Sequence, residues 1–396
     1  MEHIDVVVVG AGISGIGAAY NLKTRCPNKS YTILEGRSNL GGTWDLFKYP
    51  GVRSDSDMHT MGFKFKPWRS PKTIADAPSI LSYLNETVDE FDLRKKIQFN
   101  KKVIAAKWSS LEALWNLQVE DQSNKTVQEM TCNILYLCGG YYNYDEGYTP
   151  EFKNVEAFEG QVIHPQKWPE DLDYSDKEVV VIGSGATAVT IVPSMAEKVK
   201  HITMLQRSPT YYFAAPDEDR IGNFIKKFTT DRLGYFLVRW KNILLQRLML
   251  NRLRKNPEKT KEMLINHVRN HLGEDYDVDK HFTPKYMPWD QRLCFVPNGD
   301  MFNAMNEGKA SVVTDTIDEF TNQGIKLDSG EELKADIIIT ATGLNMRLLN
   351  GIDIKIDNET LDLSQKTQYK TMMFSDVPNL IATFGYTTAS WTLGAD

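Results

Sequence analysis

The sequence predicts an α/β chain with two parallel, doubly wound sheets and a helical insertion. Three observations carry that expectation. An unbroken apolar run, IDVVVV, enters a glycine-rich turn close to the N-terminus, and a second run, VVVI, enters a similar turn at 183–188. Strand-like and helix-like stretches alternate around both turns. Strands buried on both faces need apolar residues without alternation, and strand–helix alternation builds parallel sheets covered by helices.

Ile4–Val9 forms the first strand, Gly10-Ala-Gly12-Ile-Ser14-Gly15 the turn, and the following helix runs to about Thr24. In a GxGxxG turn Gly10 permits the tight bend, Gly12 lets backbone approach a pyrophosphate, and Gly15 lets helix pack on strand. The helix N-terminus beginning around Ser14 offers unpaired N–H groups and a positive dipole end to phosphate. A second strand, Tyr31–Leu34, closes at Glu35, about 20 residues past Gly15, where a carboxylate accepts from a ribose hydroxyl.

The pattern returns as VVVIGSGATA at 179–188, with Gly183, Gly185 and Ala188 in the same roles and Ser184, Ala186 and Thr187 completing the turn. Its second strand, His201–Leu205, is followed by Gln206-Arg207 with no carboxylate. An arginine there attracts a 2′-phosphate that a carboxylate would repel. The fold class is thus two dinucleotide-binding (Rossmann-like) domains, the first suited to an unphosphorylated ribose and the second to NADPH. Hydride passes between the two cofactors. FAD beside NADPH is the usual pairing, although composition alone does not separate FAD from a second nicotinamide.

A strand-rich stretch leads to Tyr136–Cys138, and FEGQVIHPQKWP (158–169) then links the two halves. Beyond the second turn come a helix-rich insertion and strands at Ser311–Thr314 and Asp336–Thr340. The expected domains are 1–145 with 341–396, 146–213 with 284–340, and the insertion 214–283. Apolar content of 41% and charged content of 25% are ordinary for a globular protein. A net charge of −6 argues against a general nucleic-acid binder. Cys26, Cys132, Cys138 and Cys294 show neither CxxC nor metal spacing, which argues against a flavin disulfide reductase and for no metal. No secretory signal and no membrane-spanning run is legible, so a cytoplasmic protein is expected.

With these residues in view, the chain resembles the Baeyer–Villiger monooxygenases, class B flavoprotein monooxygenases, and within them the ethionamide-activating and bacterial long-chain subgroup. Phe158, Gly160, His164, Trp168 and Pro169 match that family's FxGxxxHxxxW fingerprint. Gly41-Gly42-Thr43-Trp44 and Tyr49-Pro-Gly-Val-Arg53-Ser-Asp55 resemble its flavin-wrapping segment. Trp289-Asp-Gln-Arg292 resembles the segment with the active-site arginine, and Ala341-Thr-Gly343 the motif near the domain crossing. Many relatives carry Lys where this chain has Gln291, which places preference for NADPH over NADH more heavily on Arg207.

The resemblance implies FAD and NADPH as cofactors and a ketone or thioether with O2 as substrates. A C4a-peroxyflavin attacks the carbonyl to give an ester or lactone. The alternative is a flavin monooxygenase working mainly by S- or N-oxidation or by hydroxylation of long-chain substrates. An anionic oxidant needs a fixed positive charge and little water. Arg292 is the expected cation, placed by a charge-assisted hydrogen bond that Asp55 accepts. Gly42, Thr43 and Trp44 are expected around the flavin, with Tyr49 and Trp391 as further cavity aromatics. FEGQVIHPQKWP is expected at the hinge, His164 ordering the linker by a hydrogen bond and Trp168 packing across it.

Residues 220–272 hold 13 Lys plus Arg against 3 Asp plus Glu. LGYFLVRWKNILLQRLML mixes large apolar residues with spaced arginines, so a helix there has a basic, apolar face. The insertion reads first as a cap over the active site. Peripheral contact with a membrane surface is an alternative compatible with it. SWTLGAD ends where the family continues, so a flavin pocket lacking one wall, with uncoupled turnover, is expected.

Overall fold

The computed structural model describes residues 2–383. The call on Trp391 and that on the chain's end lie outside them. The first apolar run becomes the strand Glu2–Val9, flanked by parallel strands Tyr31–Leu34 and Val127–Leu137. Val7, Val8, Ile33 and Leu135 are fully buried there, as a sheet covered on both faces demands. The sheet extends antiparallel through Leu114–Asp121 and Lys101–Ser109 to nine strands.

The second sheet is parallel throughout. Its strands run, in spatial order, Ala310–Thr314, His201–Gln206, Glu178–Ile182, Ile337–Thr340 and Gln161–Ile163. The last of these corrects an expectation. FEGQVIHPQKWP is no free linker, because Gln161–Ile163 adds an edge strand to this sheet, paired with Ile337–Ile339. Phe158 is buried against Phe320 and Ile338, and Gly160 lies where a Cβ would meet the Asp336 carbonyl oxygen at 2.3 Å.

The chain passes between the sheets twice. The two crossings, Tyr142–Gly147 and Leu344–Met346, pair as an antiparallel ribbon. A parallel pair, Tyr211–Ala215 with Leu293–Pro297, closes the base of the insertion. The insertion's helices are Arg220–Lys227, Asp231–Lys255, Pro257–Leu272 and Val278–His281. The longest begins at the cap Thr230 and carries Arg252, Arg254 and Lys255 in its last turn, where cations complement the dipole. Pro257, the first residue of the next helix, has no N–H to lose there. Among the described residues no helix is long and apolar enough to cross a membrane.

Candidate active site

A cavity of about 400 Å³ opens beyond the C-terminal ends of Glu2–Val9 and Tyr31–Leu34, where open α/β sheets receive ligands. Gly10, Gly12, Ser14, Glu35, Gly42, Thr43 and Trp44 all line it. The turn fits a pyrophosphate. A Cβ on Gly12 would meet nothing nearer than Gly42 Cα at 3.7 Å, so bare backbone faces the cavity. Gly15 does not line the cavity. A Cβ there would stand 1.9 Å from the Gly10 carbonyl oxygen, so helix and strand approach as closely as only glycine allows.

Glu35 is buried, and its two oxygens accept the N–H groups of Ala11 at 2.7 Å and Arg37 at 2.9 Å. Burial raises its pKa, opposed by those two amides and by the Arg37 guanidinium. The carboxylate therefore ties the turn to the second strand while facing the cavity. Sequence reading missed Arg37, which pairs with Asp45 at 2.8 Å, lies 6.0 Å from the Tyr144 ring centroid and lines the same cavity. Nothing local marks it, because Tyr144 arrives from the first crossing.

The second turn is more closely packed. Gly185 caps the helix Ala186–Ala196, and Ala186 is exposed. A Cβ on Gly183 would meet the Ala341 carbonyl oxygen at 2.3 Å, which joins the turn to Ala341-Thr-Gly343. Ser184 is buried, its hydroxyl 3.0 Å from that of Thr210. Thr187 hydrogen-bonds Tyr49, whose phenol burial pushes up to about 12. Both side chains thus brace the turn from within the protein. Arg207 is exposed just past the end of its strand.

The structure separates the two residues assigned to oxygen transfer. Asp55 lines a second, largely apolar cavity of about 270 Å³ with Phe213, Leu250, Leu253, Trp289 and Phe295. Burial raises the Asp55 pKa and Arg53 lowers it. Arg292 is exposed, and its Nη1 lies 3.1 Å from where a Cβ on Gly185 would sit. The expected hydrogen bond from Arg292 to Asp55 is not formed, because Arg292, just before its strand, points over the second glycine turn. Burial pushes the Cys294 thiol up to about 12, with Asp55 raising it further and Arg292 opposing. Arg53 pairs instead with Asp300, joining the flavin-wrapping segment to the second half. Tyr49 is buried in the cluster of the second sheet, as is Phe47, and Trp168 packs against the same cluster. Gly51 sits against Ser194 and Thr190 of the second helix.

His164 stands where the two crossings meet. Its Nε2 lies 3.2 Å from the Gly343 carbonyl oxygen, and a Cβ on Gly147 would run into its ring. Tyr148 N donates to Gly343 O at 3.1 Å, and Gln166 Nε2 donates to Asn143 O at 2.8 Å. Burial lowers the His164 pKa, so the ring is neutral near pH 7.

Comparison with known proteins identifies the family and the fold. Residues 4–367 match the family model described as flavin-binding monooxygenase-like. The chain is 54% identical over 396 residues to the FAD-containing monooxygenase EthA of Mycobacterium tuberculosis, covering 100% of this chain and 81% of that one. It is 50% identical over 396 residues to the probable FAD-binding monooxygenase AlmA of Acinetobacter baylyi, covering 100% and 79%. Among solved structures, cyclohexanone monooxygenase bound to epsilon-caprolactone in its loose conformation superposes with a TM-score of 0.81 at 22% identity, covering 99% of this chain and 84% of that one. Oxidised steroid monooxygenase bound to NADP superposes at 0.79 with 22% identity, covering 97% and 80%.

Proposed function

The chain belongs to the flavin-binding monooxygenase-like family, and from that premise we propose that it uses FAD and NADPH to insert one oxygen atom of O2 beside a ketone carbonyl. The product is an ester or lactone, and thioethers are oxidised at sulfur. One observation carries this reading: a cavity lined by the first glycine turn and a separate, largely apolar cavity bordered by Asp55 occur in the same chain. Bound FAD, once reduced by NADPH, supplies the ring on which O2 is activated.

The protein's own groups do the rest. Glu35 orients the ribose while the amides of residues 10–15 meet the pyrophosphate. Arg207 meets the 2′-phosphate of NADPH. Phe213, Leu250, Leu253, Trp289 and Phe295 keep water from the substrate cavity, where charge development goes unscreened. Arg292 supplies the fixed positive charge for the anion that develops during oxygen transfer. Its approach to Asp55 is assigned to motion of the second sheet about the paired crossings. Cyclohexanone monooxygenase, solved in open and closed forms, supports such motion. Peripheral membrane contact through the basic insertion belongs to the same proposal.

Arg292→Ala should retain reduction of the flavin by NADPH and lose ester formation roughly 100-fold, the size of losing one preorganised charge. Near wild-type product formation from a linear ketone would refute the assignment.

A further inference from the structure

The helix Asp231–Lys255 packs one mixed face against the protein and carries an apolar stripe on the other. Leu233, Phe236, Leu237, Trp240, Leu244 and Leu248 recur at helical spacing and form one stripe. Each is between 40% and 64% exposed. The neighbouring helix Arg220–Lys227 continues the surface with exposed Ile221 and Phe224, and exposed Phe228 just beyond it lies against Phe224 with ring centroids 4.8 Å apart and the rings tilted by 52°. A contiguous apolar surface of this kind on a water-facing helix marks a contact site.

Its surroundings choose the occupant. Lys227, Arg232, Arg247, Arg252, Arg254 and Lys255 are all exposed on the same two helices. A second copy of the chain, itself carrying net charge −6 but presenting this same basic patch, would meet like charge across a symmetric contact. An anionic lipid surface matches both features, taking the apolar stripe among its acyl chains and the cations among its headgroups.

The opposite face of the same helix lines the substrate cavity through Asn242, Gln246, Met249, Leu250 and Leu253. Leu245, between the two faces, lines that cavity and is also 54% exposed. Leu245 therefore borders both the cavity and solvent. We infer that the insertion docks on an anionic bilayer with the cavity mouth at the lipid surface, so that membrane-dissolved apolar ketones enter directly from the acyl region. This inference rests on the proposed oxygenase reading for its substrate and on the helix surface alone for its docking.

The test uses the 396-residue, FAD-loaded chain and vesicles of phosphatidylglycerol or phosphatidylcholine. Sedimentation should show binding to phosphatidylglycerol that is lost at high salt, and little binding to phosphatidylcholine. Phe236→Ser with Leu244→Ser and Leu248→Ser should weaken binding at least roughly 10-fold, since each removes buried apolar surface. Arg247→Glu with Arg252→Glu and Arg254→Glu should weaken it roughly 100-fold, since each cation near an anionic surface is worth about 5-fold. Flavin content reports the fold of each variant. In the same variants kcat/KM should fall for a long-chain ketone dissolved in vesicles and hold for a short water-soluble one. Equal sedimentation of wild type and variants would overturn the inference, as would a change from dimer to monomer without vesicle binding. Loss of neither ketone's turnover in the non-binding variants would overturn the entry route. Absence of ester from both ketones in the wild type, with vesicle binding intact, would instead sink the oxygenase reading.

Discussion

Acid should loosen the insertion from the flavin-side half, and His59 is the group that makes it do so. His59 lies in the short helix Met58–Met61, which packs on Asp231–Lys255. Its ring is completely buried, and neither nitrogen has a hydrogen-bond partner. Burial, helped by Lys226 and Lys241 and opposed by Asp57 and Asp219, pushes its pKa from 6.5 down to about 4. A depressed histidine pKa means that the unfolded chain takes up the proton first. Stability from this site is therefore complete above pH 6.5 and is lost as pH falls towards 4. Near pH 5, above the folded pKa and below the unfolded one, the loss is about 2 kcal/mol, rising to about 3 kcal/mol in stronger acid. Guanidinium unfolding at about pH 8 and about pH 5 measures this difference. His59→Leu removes the titrating group while keeping an apolar side chain, and should shrink the difference by about 2 kcal/mol. If the variant loses as much stability on acidification as wild type, the reasoning is refuted.

Glu35→Gln presents an NH2 group to one of the two amides that Glu35 now satisfies, at a cost of about 1–3 kcal/mol. Flavin retained through gel filtration should fall, and retention at one FAD per chain would contradict the assigned contact. His164→Ala removes the bond to Gly343 and should slow NADPH-driven flavin reduction roughly 10-fold while FAD content holds. Unchanged reduction kinetics would count against a hinge role. Arg207→Ala should raise KM for NADPH by roughly 10- to 100-fold and leave that for NADH alone. Parallel shifts for both nucleotides would remove Arg207 from the phosphate site.

Much of the first cofactor site was legible because its parts are nearly contiguous. Strand, turn, helix and acid fall within residues 2–35, and Gly15 answers a local steric demand, since a Cβ there would meet the Gly10 carbonyl oxygen. The fingerprint 158–169 was legible as a motif but misplaced as a linker. Gln161–Ile163 is only three residues long, too short to show periodicity, and its strand character comes from its partner Ile337–Ile339. The buried attachment of the insertion was not visible at all. Arg239 is buried, donating to the carbonyl oxygens of His59, Thr60 and Gly62, and Asp57 accepts from Asn242 and Gln246. An arginine in a basic helix carries no sequence mark that it faces inward.

By itself the sequence determined the two strand–glycine-turn–helix units, the charge that follows the second strand of each and the mixed basic and apolar character of the insertion. These depend on residues close together in the chain, where backbone geometry leaves few alternatives. Tertiary structure alone decided that Arg292 points over the second turn without bonding Asp55, that His164 clasps both crossings, and that one face of the long helix covers a cavity while its apolar stripe meets solvent. Each of those outcomes depends on how distant segments pack, and packing selects one face or one partner among several that the local pattern permits equally.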